Sequence, residues 1–200
     1  MNADLFYQQV VDTFRLPPSE RYTQMVQLHT QVMNEYVVAV QRITVEAAAQ
    51  SVSTDGDQRT LAQIVAHIAA WERFGILAAG DMLAGVQHPR SITDVKGYVE
   101  EDGRVLDFAD VHAFNNYQTQ KYQTWSWSPL QTLAIDTATT FYTLFTHPQL
   151  LTATRLEQTK PYRKHFRNGQ VIQNVRMGWC LWAMYLDHEG VEHAAELQLP

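Results

Sequence analysis

Glu189 and His193 stand four residues apart in the last helix-like segment of the chain, with His188 directly before the glutamate. On an α-helix, residues i and i+4 lie one above the other, about 40° apart around the axis, so one carboxylate and one imidazole can reach the same metal ion. That pair is half of a site. The best third ligand is His67, inside the apolar run Leu61-Ala-Gln-Ile-Val-Ala-His-Ile-Ala-Ala-Trp71. If the two helices pack together, the expected set is His67, Glu189 and His193. His188 and His193 are i and i+5, about 140° apart on a regular α-helix, which makes His188 the reserve ligand. Gly190 bears on that choice, because a glycine inside a helix permits close approach by a neighbour or a local bulge, and a bulge would bring His188 into play.

Neutral imidazoles with a carboxylate suit zinc, nickel, iron or manganese better than calcium, which takes oxygen ligands throughout. Three protein ligands leave positions open for water or substrate, the arrangement in which a divalent metal acts as a Lewis acid or acidifies what it binds. Glu72, Asp187 and Glu192 are carboxylates that could orient the imidazoles. Helix-face carboxylates are more often solvated, and that is the expectation for all three. Stripped of this chemistry, the same residues describe an exposed, charged C-terminal helix whose histidines bind nothing.

Helices must position these groups. Pro17-Pro18-Ser19-Glu20 opens a long first helix, capped by Ser19 and running to about Gln50, with Met25, Leu28, Val32, Met33, Tyr36, Val40 and Ile43 on one stripe. His29 beside that stripe is expected to be hydrogen-bonded or partly exposed rather than a ligand. After a polar connection over Ser51 to Asp57, Thr60-Leu-Ala-Gln63 fits a capping box that starts the second helix, whose buried face continues toward Leu83. Gly85 to Asp107 reads as a long crossover with one helical turn near Ile92 to Val99. A third helical unit runs from Phe108 to Trp125 and restarts at Ser128-Pro129, ending at His147-Pro148. His165 to Ile172 resembles a hairpin around Asn168-Gly169, and the last helix spans about Asn174 to Leu197. The expected fold is an all-α four-helix bundle, residues 1–200 forming one domain, with a long crossover between helices 2 and 3 and a small hairpin before helix 4.

Composition narrows the function classes. Nearly half of the 200 residues are hydrophobic (46%), enough for one sizeable core. A net charge of −6 with fifteen scattered basic residues argues against nucleic acid as a partner. No uncharged apolar stretch approaches the roughly 18 residues of a membrane span, and the N-terminus lacks a signal pattern. Cys180, the sole cysteine, lies between Trp179 and Trp182 and reads as a small core residue in a reducing compartment, so a cytoplasmic location is expected.

Taken together, the segments Thr60 to Glu72, Ala113-Phe-Asn-Asn116 and Asp187 to Leu197 resemble the DinB/YfiT-like metalloenzyme superfamily, including its mycothiol-dependent maleylpyruvate isomerase-like branch. Many members of that superfamily carry two histidines four residues apart on the last helix. Glu189 stands where the first is expected, so the chain is similar to the isomerase type, His then Glu-x-x-x-His, which maps onto His67, Glu189 and His193. The resemblance implies a four-helix bundle with a divalent metal at one end, often a homodimer, and a small-molecule substrate handled with a low-molecular-weight thiol in a transfer or isomerisation reaction. The competing expectation is a non-catalytic, stress-related binding or sequestering bundle with structural metal or none. It draws on the lack of a Ser, Cys or Lys recognisably placed beside the ligands as base or nucleophile.

Overall fold

A computed structural model describes residues 2–52, 59–91, 94–166 and 168–198. Helix formation begins at the N-terminus rather than after Pro17: α1 (Ala3–Phe14) is capped by the Asn2 side chain and buries Phe6, Tyr7, Val10, Val11 and Phe14 along one stripe. The long helix α2 (Pro18–Arg42) follows, ending short of the expected Gln50, with a separate one-turn α3 (Val45–Ala48) behind it. Pro17 takes the N-cap position, not Ser19. α4 (Leu61–Leu83) opens with the expected capping box: the Thr60 hydroxyl accepts from Gln63 N–H at 3.2 Å, and the Gln63 side chain accepts from Thr60 N–H at 2.8 Å. Most of the polar connection before it, residues 53–58, lies outside the described residues.

The crossover contains a two-residue-per-strand hairpin, β1 (Tyr98–Val99) with β2 (Val105–Leu106), where one helical turn was expected; Ile92, the start of that turn, lies outside the described residues. Arg90 holds the crossover to α4 by a forked pair of contacts to Asp81, both at 2.7 Å, and donates also to the Gly97 carbonyl. α5 (Val111–Tyr122) and α6 (Trp127–Thr146) come next, then a short α7 (Ala153–Glu157) and the expected hairpin of β3 (Pro161–His165) and β4 (Val171–Arg176). Gly169 in its turn has φ +83°, the left-handed region that glycine adopts without strain; Arg167 beside it lies outside the described residues.

The expected last helix is divided. α8 (Met177–Asp187) buries all eleven of its residues, and from His188 to Glu192 the chain widens into a π-turn. The expectation of a purely all-α fold is thereby corrected: the chain is mostly helical, with two small antiparallel hairpins. Hairpin strands supply backbone pairing where the apolar period of 3.6 is absent from the sequence. α4 packs along α6 and α5, while α2 packs on α6 and on the π-turn. Two apolar clusters result. One joins α1, α2 and α8 around Trp179 and Trp182, and the other joins α4 to α5 and α6 around Phe74 and Phe114. Cys180 is buried and free in the first, with its thiol pushed up to about 12 by burial, as expected of a packing residue. Among the described residues no helix is long and apolar enough to cross a membrane.

Candidate metal centre

Three histidines meet where α4 faces the π-turn. One ring nitrogen each from His67, His188 and His193 lie within 4.8 Å of one another. His67 Nε2 and His188 Nε2 are 3.0 Å apart, and the His193 ring stands nearly perpendicular to both, with centroids at 5.2 and 5.0 Å. His67 and His193, both expected, are brought together. Glu189 is not in the group; its neighbour His188 takes that place.

The reason is the local winding. A π-turn closes i to i+5 hydrogen bonds and has more residues per turn than an α-helix, so residues five apart come round to one face. Gly190 makes this possible: a Cβ there would sit 2.7 Å from Val32 Cγ1, closer than side-chain atoms approach. Without a side chain at 190, the π-turn presses onto α2. Tyr7 in α1 anchors the start of the turn, its hydroxyl donating to Asp187 Oδ1 at 2.9 Å in a buried contact.

The electrostatics favour neutral imidazoles. Burial lowers His67 well below the ordinary histidine range, and the neighbouring His188 and His193 lower it further. His193 is lowered by burial too, partly opposed by Glu192 and Glu196. Neither ring nitrogen of His193 has a hydrogen-bond partner among the described residues, although Nδ1 lies 3.6 Å from a Glu196 oxygen.

Glu189 points into the protein instead. It is 1% exposed, neither carboxylate oxygen is hydrogen-bonded to any described residue, and burial pushes its pKa up to about 8. Glu72 from α4 is equally buried and is raised by desolvation first and by Glu189 second. Tyr36 from α2, with no exposed surface, feels both carboxylates. The expectation that Glu72 and Asp187 are solvated helix-face charges is corrected, since both are buried. Apolar flanks hide such residues from a reading by period, because a carboxylate in the sequence carries no sign of the helix that will cover it.

Two cavities open beside the histidines, and His67 and Asn115 line both. One, of about 240 Å³, is bounded by Trp71, Lys164, His188 and Glu192; the other, of about 350 Å³, extends between α4 and α5 toward Trp127. The Trp71 indole donates to Asn115 Oδ1 at 3.1 Å, which leaves the Asn115 amide nitrogen for whatever enters. Sequence reasoning missed Asn115 and Lys164 as site residues, although Asn115 falls in the Ala113–Asn116 segment that carries the resemblance. His29 is fully buried, takes a hydrogen bond from Trp182 Nε1 at 3.0 Å on Nδ1, and is no part of the centre.

No family model and no curated protein matches the sequence. Among solved structures, the chain is similar to mycothiol-dependent maleylpyruvate isomerase, with TM-score 0.55 and 14% identity over 94% of this chain. A mutant of that enzyme with one histidine replaced by alanine gives TM-score 0.54 and 13% identity. The fold is the one shared with that isomerase, and the chain spans 63% of the isomerase's length.

Proposed function

We propose that this chain is a divalent-metal-dependent enzyme in which His67, His188 and His193 hold the ion and a low-molecular-weight thiol takes part in a transfer or isomerisation reaction. The observation that carries this reading is the convergence of three imidazoles. The donor set fits: nitrogens on a tetrahedral ion at 2.0–2.1 Å stand about 3.3 Å apart, close to the 3.0 Å between His67 and His188. Burial keeps His67 and His193 neutral, with lone pairs available, so little proton competition opposes binding. Neutral nitrogen donors suit zinc, nickel or iron, with manganese less favoured by an all-nitrogen set.

When bound, such an ion lowers the pKa of a coordinated water or thiol and polarises a carbonyl. The chain's own residues shape the approach. Trp71 fixes Asn115, whose amide donor can hold a substrate oxygen near His67. Lys164, on the hairpin, offers a positive charge in the same cavity for an anionic substrate group, and Glu192 on its wall is placed to take up a proton released there. The thiol is suggested by the mycothiol dependence of the structurally similar isomerase, and a single domain that forms a homodimer is proposed with it.

A second reading keeps Glu189 as ligand in place of His188, and it is favoured by the two unpartnered oxygens of that buried carboxylate. Elemental mass spectrometry on untagged protein separates the two. With three histidines as ligands, the wild type carries about one metal per chain, His188→Ala loses it and Glu189→Gln keeps it. Loss in Glu189→Gln with retention in His188→Ala reverses the assignment, and no metal under any loading condition sinks both. A metal-loaded protein that neither binds nor turns over mycothiol or glutathione removes the thiol from the proposal.

A further inference from the structure

α1 reaches the histidine centre through one hydroxyl. Of the side chains Phe6, Tyr7, Val10, Val11 and Phe14 that this helix buries, only Tyr7 carries a polar group. Packing alone does not call for it: the Tyr7 ring stands edge-on to Phe6, with centroids 5.7 Å apart, and tilted against Phe166 at 5.8 Å, contacts that a phenylalanine would also make. The hydroxyl donates instead to Asp187 Oδ1, 2.9 Å away and 180 residues along the chain, with both side chains buried. A buried hydroxyl left unpaired is costly, and a hydrogen bond to a carboxylate is stronger than one to a neutral acceptor. Asp187 ends α8 and directly precedes His188, whose Nε2 lies 3.0 Å from His67 Nε2. Holding its carboxylate fixes the chain where the winding changes from α to π. Past His188, Gly190 presses on Val32 of α2. The turn is thus held at residues 187 and 190, by a hydrogen bond from α1 and by packing on α2, with His188 between the two points. α1 also braces the hairpin that carries Lys164, through the Tyr7–Phe166 ring contact and a bond from Gln170 to Gln8 at 3.4 Å.

We propose that Tyr7 is a positioning residue of the histidine centre: acting through Asp187, it sets where His188 stands relative to His67. Side chains that act together at one point must be held to within about 0.5 Å, by neighbours whose own places are locked by packing and hydrogen bonds. Tyr7 meets that demand, with its ring fixed between Phe6 and Phe166 and its hydroxyl on the carboxylate. The N-terminal helix, distant from the histidines in the chain, is thereby part of what builds their arrangement. The inference rests on the proposed metal function only for its affinity readout, because the placing of His188 is a property of the metal-free chain.

The test compares Tyr7→Phe with Val10→Ala, which opens a cavity under the same helix and removes no polar contact. The full chain is used throughout. Imidazole signals of the metal-free protein are read by long-range proton–nitrogen NMR, cobalt(II) affinity by its visible absorption, and stability by urea unfolding. Tyr7→Phe should move the ring signals of His188 and His67 and weaken cobalt binding about tenfold, the lower end of what the loss of an outer hydrogen-bond partner costs a metal site. Val10→Ala should leave the signals in place and the affinity within about twofold, whatever stability it loses. Asp187→Asn, which keeps an oxygen for the Tyr7 hydroxyl, should retain most of the affinity. In an Asp187→Ala background, Tyr7→Phe should have no further effect, since the residue through which it acts is gone. Unmoved imidazole signals in Tyr7→Phe overturn the proposal. So does an equal response from Val10→Ala, which would make the effect one of general stability. Signals that move in a chain that takes up no cobalt uphold the placing of His188 while removing the metal reading, so the two fail separately.

Discussion

Gly190→Ala tests whether the π-turn is held by packing on α2. The added Cβ would lie 2.7 Å from Val32 Cγ1 and 3.1 Å from Cγ2, about 1 Å inside the 3.5–4.0 Å at which carbon atoms attract. Both contacts fall on a branched, buried side chain with little freedom to move, so the conflict must push the turn away from α2 or displace α2 itself. Overpacking of this kind costs about 1–3 kcal/mol. Replacing glycine inside a helix returns up to about 1 kcal/mol in backbone entropy, which leaves a net loss of about 0–2 kcal/mol. The informative quantity is therefore the coupling with Val32→Ala, which removes both clashing methyl groups. Alone, that change opens a cavity and destabilises; in the double variant the alanine methyl partly refills it. Urea unfolding of the four proteins should give a coupling energy of at least about 1 kcal/mol. Metal affinity, measured in parallel, should fall in Gly190→Ala and recover in the double variant, because His188 and His193 ride on the displaced turn. Additive stabilities, within the ~0.5 kcal/mol typical of independent sites, would refute the packing account of the turn.

Two further expectations concern stability elsewhere. His29 is lowered to about 3 by burial, so the folded protein keeps it neutral while the unfolded chain binds a proton below pH 6.5; its contribution is complete above pH 6.5 and is lost as pH falls toward 3. At pH 5 the difference is about 2 kcal/mol, and the stability curve of His29→Gln should be flatter than that of the wild type by this amount between pH 6.5 and 5; parallel curves would contradict it. Arg90→Lys should cost about 1–2 kcal/mol by thermal or urea unfolding, since lysine cannot reproduce the forked contact to Asp81 or reach Gly97 at the same time. A loss below ~0.5 kcal/mol would class it with ordinary surface pairs.

The parts of the molecule legible in the sequence are those set by near neighbours in the chain. Thr60 and Gln63 carry their capping box within three residues, and Asn168-Gly169 marks its turn by backbone preference alone. His67 was readable as a candidate only through the spaced pair Glu189 and His193, since a lone histidine on an apolar face is ordinarily a hydrogen-bonded core residue, as His29 is. The stripe of α1, with Phe6, Val10 and Phe14 at spacing four behind an Asn2 cap, is equally present in the sequence but lies ahead of the Pro17-Pro18 break that looks like a beginning. What could not be read is what depends on contacts between distant segments. The π-turn exists because Gly190 meets Val32, and nothing near residue 190 names that partner. Glu72 and Asp187 are buried by helices that the sequence does not place beside them, and the placement of His188 rather than Glu189 beside His67 and His193 goes with the same long-range contact.

The π-turn links the chemistry of the centre to one contact in the core. In an α-helical winding, Glu189 shares a face with His193, and the donors would be two nitrogens and a hard, anionic oxygen. In the π winding, His188 takes the place of Glu189 and the three donors would all be imidazole nitrogens. The first set favours harder ions and leaves less net charge on the bound metal; the second favours borderline ions and leaves the full +2. A change of packing at Val32, or a one-residue deletion in the turn, would therefore change which metal is preferred and how acidic its bound ligand becomes, with every liganding side chain still in place. For the proposed centre, metal preference would be a property of helix pitch as well as of residue identity.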